Sequence, residues 1–153
     1  RCQDLECASS SRSHHQFTLQ QSAMTFSPSP ELRTIAALAG SRSPRTLRAG
    51  EILFQDGDPG DSLFGVVSGE IQLSSGEDSV EILGPGNCFG AAALVDPNHR
   101  RFGTATALTE AQVLEMDREQ FLFAMQELPM FGLEMLHDME LRLQGLKARM
   151  LEA

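Results

Sequence analysis

The spacing of apolar residues divides the chain into segments of different kinds. Apolar positions at helical spacing follow Ser29 and Pro30 and end at Gly40, which predicts a short helix with a serine cap and a proline in its first turn. Between Thr46 and Leu83 the pattern changes to short runs of Ile, Leu, Val and Phe separated by turns rich in Gly and Asp, and a further pair of runs lies between 105 and 116. Short strands at this spacing are typical of an antiparallel sandwich or barrel.

After Asp117 the apolar spacing is helical again, and the dipeptide Leu128-Pro129 predicts a break between two helices. The last helix carries an apolar stripe with spacings of three, four, three and four: Leu136, Met139, Leu143, Leu146 and Met150. This spacing is typical of a short coiled coil and favours pairing with a second copy of the chain. A lone amphipathic helix packed on its own domain would show the same residues, so both interpretations stay open.

Composition limits the number of domains and the cellular setting. With 153 residues, of which 41% are hydrophobic and 22% charged, the chain is long enough for one domain. Residues 1–28 are rich in Ser, Gln and His without a sustained period, so we expect a disordered or expression-derived tail before a domain over residues 29–153. Three cysteines without a secretory signal favour a cytoplasmic setting, and no apolar run approaches the roughly 18 residues that span a membrane.

Charge is distributed unevenly along the chain. The formal net charge is −9, from 12 basic and 21 acidic residues, and the part that follows residue 48 carries −12. An acidic surface repels a phosphate backbone, so we expect no direct DNA binding by this chain. The histidines and cysteines of the first 28 residues match no closed zinc site, and therefore no metal is expected.

Four stretches follow one another at a recognisable spacing: AGEILFQDGDPGDSLF at 49–64, VVSGEI at 66–71, LGPGNCFG at 83–90, and residues 101–121. Over residues 47–150 this series resembles the cyclic-nucleotide-binding domain of the bacterial catabolite activator (Crp/Fnr-like) family. The resemblance implies a mainly β fold: an eight-stranded jelly roll, or double-stranded β-helix, with an N-terminal helix, a small internal helix and a long C-terminal dimerisation helix. The activator carries its helix-turn-helix domain after that long helix, whereas this sequence stops at Ala153.

Small residues at Gly90, Ala91 and Ala92 predict an anion site. They allow a helix to begin directly after a strand, and the free amides and positive end of that helix would accept a phosphate. A buried arginine would then neutralise the anion, and in the resemblance Arg101 takes this place, with Arg100 as the alternative. A purely structural role, in which Arg101 caps a carbonyl or pairs with a nearby Asp96, is the competing interpretation.

The chain departs from the family pattern in three respects. The family places a glutamate, which accepts a hydrogen bond from the ribose 2′-hydroxyl, where this chain has Ala91. Phe102 replaces a small residue after the arginine, and Leu146 and Lys147 stand where the activator reads the base through hydroxyls. Losing a charged acceptor for a buried hydroxyl costs about 1.5–3 kcal/mol. We therefore expect the site to bind an anion but not to recognise adenine in the way that the activator does.

Two functions follow from this pattern. The first is a regulatory domain that senses a cyclic nucleotide or another anionic ligand through Gly90, Ala91, Ala92, Arg101 and Phe102. The second is a dimerising scaffold of the same fold with no ligand. Catalysis is not expected, because the histidines outside the first 28 residues, His99 and His137, belong to no cluster of catalytic or metal-binding residues.

Overall fold

A computed structural model describes residues 29–40, 42–77 and 79–152 of the protein. The tail predicted over residues 1–28 lies outside the described residues. Four helices and eight strands are formed in the described part of the chain. The helices are α1 (Pro30–Ala39), α2 (Ala92–Val95), α3 (Arg118–Glu127) and α4 (Pro129–Glu152). The strands are β1 (Arg45–Leu47), β2 (Ile52–Phe54), β3 (Ser62–Ser68), β4 (Ile71–Ser75), β5 (Ser79–Leu83), β6 (Cys88–Phe89), β7 (Thr104–Ala107) and β8 (Ala111–Asp117).

The strands form two four-stranded antiparallel sheets in the orders β1-β8-β3-β6 and β2-β7-β4-β5. The predicted jelly-roll architecture, mainly β with flanking helices, is confirmed. The two runs predicted between 105 and 116 form β7 and β8, and each strand belongs to a different sheet. The core of the roll is formed by side chains from both sheets: Leu47, Phe54, Phe64, Val66, Ile71, Leu83, Phe89, Ala105, Ala107, Ala111 and Val113.

Helices α1, α2 and α3 and the first part of α4 pack on the sheet that contains β3 and β8. The Ser29 hydroxyl caps α1 by accepting a hydrogen bond from the Leu32 amide at 3.2 Å, and the helix ends at Gly40 with φ +62°. Ile35 of α1 and Phe131 of α4 are almost completely buried and share a second core cluster with residues of β3 and β8. Each such side chain stabilises the fold by about 1.5–3 kcal/mol on burial, so this cluster fixes the helices against the roll.

The predicted break at Leu128 is confirmed, since α3 ends at Glu127 and α4 begins at Pro129. Only the first part of α4 is anchored in the core, through Phe131 and Met135. Four of the five residues of the predicted apolar stripe are at least 40% exposed in the single chain: Leu136, Met139, Leu143 and Met150. A membrane cannot be crossed by any helix of the described segments, because none is both long and apolar enough.

Candidate functional site

A cavity of about 280 Å³ lies between the roll and the long helix α4. Its walls are formed by Leu73, Glu81, Phe89, Gly90, Ala91, Ala92, Phe102, Met139, Arg142, Leu143 and Leu146. Four of the five residues predicted for a ligand site, namely Gly90, Ala91, Ala92 and Phe102, are therefore brought together. The fifth, Arg101, does not line this cavity and borders a neighbouring surface cleft with Ala92 and Phe102.

The segment Gly90–Ala92 forms the turn between β6 and α2. Gly90 has φ +84°, and a Cβ atom added there would lie 2.9 Å from Arg101 Nη1, so both the backbone and the neighbouring side chain require glycine. The predicted helix after the strand is confirmed, but α2 contains only four residues. Its dipole therefore contributes little, and any anion here depends mainly on individual N–H groups and nearby charged side chains.

Arg101 is 6% exposed, and its side chain points into the protein. Its Nη1 donates to the carbonyls of Ser62 and Gly90, the latter at 3.0 Å, and its Nη2 donates to the Ser62 hydroxyl at 3.0 Å. The guanidinium also lies 4.5 Å from the ring centre of Phe54 and 5.3 Å from that of Phe64, within cation–π range. This side chain therefore joins β3 to the Gly90–Ala92 segment.

The sequence left open a structural role in which Arg101 caps a carbonyl. Its contacts with the carbonyls of Ser62 and Gly90 have this form. The Asp96 carboxylate does not pair with it and accepts instead from the amide of Asn98 at 3.0 Å. Burial lowers the pKa of Arg101, and the negative charges of Glu115, Asp61 and Asp58 oppose this shift. Since arginine remains protonated in proteins, a positive charge is held in contact with Gly90 although Arg101 does not line the cavity. Its role in ligand binding stays a prediction.

Phe102 does not fill the cavity. Its side chain is 74% exposed and forms part of the rim, where the cavity and the neighbouring cleft meet. Leu146 lines the cavity, whereas Lys147 borders a separate groove between β5 and α4. At the two positions expected to read a base, the cavity thus receives an apolar side chain and no hydroxyl group.

An ion pair between β5 and α4 forms the polar wall of the cavity. Arg142 Nε donates to Glu81 Oε1 at 2.7 Å and Arg142 Nη2 donates to Glu81 Oε2 at 3.0 Å, a bidentate arrangement. Arg142 Nη1 donates to the carbonyl of Cys88 at 2.6 Å, two residues before Gly90. All three guanidinium nitrogens therefore have protein acceptors, and α4 is attached to both β5 and β6.

The surroundings of this ion pair are partly buried and acidic. Burial acts to lower the pKa of Arg142, but the hydrogen bonds and charge of Glu81 outweigh it and raise that pKa. Burial also raises the pKa of Asp138, whose carboxylate lies 3.8 Å from Arg142 Nη1. The nearby Cys88 thiol is buried, which raises its pKa to about 12 and keeps it protonated.

Glu81 and Arg142 were not predicted as site residues, although their positions have signals in the sequence. Arg142 lies three residues after Met139 and four residues before Leu146, so these three residues share one helical face. Glu81 is less easily found, because it alternates with two apolar residues that would be expected to face the core. The strand register determines which way Glu81 faces, because Glu81 is the cross-strand partner of Leu73 and both residues line the cavity.

The sequence and the fold of this chain are similar to those of known proteins. A family model described as the cyclic nucleotide-binding domain matches residues 44–127, more than half of the chain. The chain belongs to the cyclic nucleotide-binding domain family. The match includes the Gly90–Ala92 segment and Arg101, and it ends with α3, so that α4 lies beyond it.

A transcriptional regulator is among the relatives of this cyclic nucleotide-binding domain. The CRP-like cAMP-activated global transcriptional regulator of Mycobacterium tuberculosis is 29% identical over 119 residues, which cover 74% of this chain and 53% of the regulator. This chain thus spans about half the length of that relative. A solved structure from work on a cyclic-GMP-dependent signalling pathway in bacterial phytopathogenesis is 30% identical with a TM-score of 0.64, covering 75% of this chain and 92% of that one.

A third similar protein is the catabolite activator of Thermus thermophilus. Its crystal structure is 25% identical to this cyclic nucleotide-binding domain, with a TM-score of 0.61, and the alignment covers 84% of this chain and 62% of the activator. The predicted resemblance to the Crp/Fnr-like family is thereby confirmed. In all three relatives the similar region extends over more than 70% of this chain.

Proposed function

We propose that this chain is a regulatory ligand-sensing domain whose cavity binds a cyclic nucleotide or a similar small phosphate-containing anion. The observation that carries the proposal is the lining of the cavity, which includes both the Gly90–Ala92 segment and the Glu81–Arg142 ion pair. Arg142 belongs to α4, so a ligand in this cavity contacts the helix directly. At about 280 Å³ the cavity is near the lower limit of ~300 Å³ for ligand sites.

In this proposal the anion lies against Gly90, Ala91 and Ala92, with Phe102 at the rim. The guanidinium of Arg101 lies directly behind Gly90 and contributes positive charge without leaving its carbonyl partners. A charge in a partly buried site attracts an anion more strongly than the same charge in water, because water screens it less there. The apolar wall formed by Leu143 and Leu146 suits a base or another flat apolar group.

The output of the domain is proposed to be a change in how two copies pair through α4. The exposed stripe of Leu136, Met139 and Leu143 is apolar enough for such pairing, and Met139 and Leu143 also line the cavity. A ligand that binds more tightly to one arrangement of α4 shifts the population toward it. Ligand and dimer partner would thus share the same helix.

The test is calorimetry and thermal unfolding with cyclic AMP, cyclic GMP and cyclic dinucleotides. A ligand present at 100 times its Kd stabilises the folded domain by about 2.7 kcal/mol. Ala92→Glu, which adds a negative charge to the anion wall, is expected to weaken binding at least tenfold. Val95→Glu is the matched control, because Val95 lies on the same short helix, is 71% exposed and does not line the cavity.

The second candidate function is a dimerising scaffold without a ligand. It is favoured by the contacts of Arg101, whose terminal nitrogens have protein acceptors at Ser62 and Gly90. Calorimetry that detects no heat and no stabilisation with any of these nucleotides supports the scaffold and contradicts the sensor.

A further inference from the structure

The cavity contains one side-chain oxygen acceptor. Of the residues that line it, all in the described part of the chain, Glu81 and Arg142 are the only ones with polar side chains. Arg142 is a donor, and its three nitrogens already bind Glu81 and the Cys88 carbonyl. A ligand hydroxyl in this cavity therefore has a single side chain to which it can donate, the Glu81 carboxylate.

Glu81 is also prepared for this role by its surroundings. Each carboxylate oxygen accepts one bond from Arg142 and keeps a further lone pair, since a carboxylate accepts about four hydrogen bonds. The bidentate pair fixes the direction of the carboxylate, and the guanidinium compensates its negative charge. An anionic ligand is then not repelled, although a carboxylate lines its site.

The Gly90–Ala92 segment and the Glu81–Arg142 ion pair are close enough for one ligand to contact both. Arg142 donates both to Glu81 and to the carbonyl of Cys88, two residues before Gly90, so in this cavity of about 280 Å³ a cyclic nucleotide whose phosphate lies at Gly90 has the ion pair beside it. The ribose 2′-hydroxyl is the neutral donor that such a ligand carries next to its phosphate. Leaving it buried without an acceptor would cost affinity, so its pairing with Glu81 is favoured.

We propose that Glu81 is the residue that selects ribonucleotides, by accepting a hydrogen bond from the 2′-hydroxyl in a cavity where position 91 offers only a methyl group. This inference rests on the proposed function. It assigns the recognition of the sugar to β5 and the binding of the anion to the segment between β6 and α2. The positioning residue is Arg142, which acts through Glu81.

The experiment compares the Kd of cyclic AMP and cyclic GMP with that of their 2′-deoxy analogues by calorimetry. For the unmodified protein we expect the 2′-deoxy form to bind about 10- to 100-fold more weakly than the ribose form. This is the loss of affinity expected when one hydrogen bond to a charged group is removed. In Glu81→Gln this ratio should fall at least fivefold. Adding Ala91→Glu to that variant should restore the ratio, since it returns a carboxylate to the same cavity.

Asp138→Asn is the matched control, because Asp138 also approaches Arg142 but does not line the cavity, and it should keep the ratio of the unmodified protein. A role of Glu81 in folding alone would weaken both forms of the ligand equally. Equal binding of the 2′-deoxy and ribose forms by the unmodified protein overturns the inference without any variant. If no cyclic nucleotide binds at all, the proposed function itself fails.

Discussion

Replacing Arg101 with methionine tests how much the buried guanidinium stabilises the domain. The substitution removes the donors to the Ser62 and Gly90 carbonyls and the contact with the Phe54 ring, while keeping most of the apolar volume. Each hydrogen bond to a charged group is worth about 1.5–3 kcal/mol, and the two carbonyls are left without this donor. Because removal of the charge also relieves its desolvation, we expect a net loss of about 3–5 kcal/mol.

The assay is urea unfolding followed by far-ultraviolet circular dichroism, because the sequence contains no Trp and no Tyr to report by fluorescence. Arg100→Met is the control. Arg100 is exposed and makes one side-chain hydrogen bond, to the Gly57 carbonyl at 3.2 Å, so its replacement should change stability by no more than ~0.5 kcal/mol. Equal losses in the two variants would refute the structural role assigned to Arg101.

Two further predictions concern the helix α4 and the thiol beside it. Leu143→Glu places a charge in the exposed stripe and should convert a dimer to a monomer in sedimentation. Leu141→Glu, on another face of α4, is the control and should leave the dimer intact. If the mass of the Leu143→Glu variant is unchanged, pairing through α4 is contradicted. The pKa of Cys88 is raised to about 12 in the folded chain. Since the unfolded chain loses this proton first, stability should decrease as the pH rises from about 9 toward 12, by at most ~1.4 kcal/mol per pH unit. Cys88→Ala should reduce that slope, and urea midpoints at pH 8 and pH 10 measure it; the same slope in both proteins would exclude Cys88 as its cause.

The fold could be predicted because its signals are local. Ser29, Gly40 and Leu128 mark helix ends through their own backbone and side-chain preferences, and the Gly- and Asp-rich turns separate the strands. The grouping of Gly90, Ala91, Ala92 and Phe102 around one cavity could also be predicted, because these four residues lie close together in the sequence.

The polar wall of the site could not be predicted, because it depends on contacts between distant residues. Glu81 and Arg142 are 61 positions apart, and only the pairing of β5 with β4 decides that Glu81 faces inward. The direction of the Arg101 side chain is a similar case. Its acceptor Ser62 lies 39 positions earlier, and nothing near Arg101 in the sequence distinguishes a bond to a carbonyl from a bond to an anion.

The alternation of side chains along β5 has a consequence for the outer surface of the protein. With Glu81 directed inward, Val80 and Ile82 must face outward, and they are 40% and 57% exposed. The strand also forms an edge of its sheet, and an edge with exposed β-branched residues tends to recruit other chains. We therefore expect lysine at Ile82, the more exposed of the two positions, to raise the solubility of the protein.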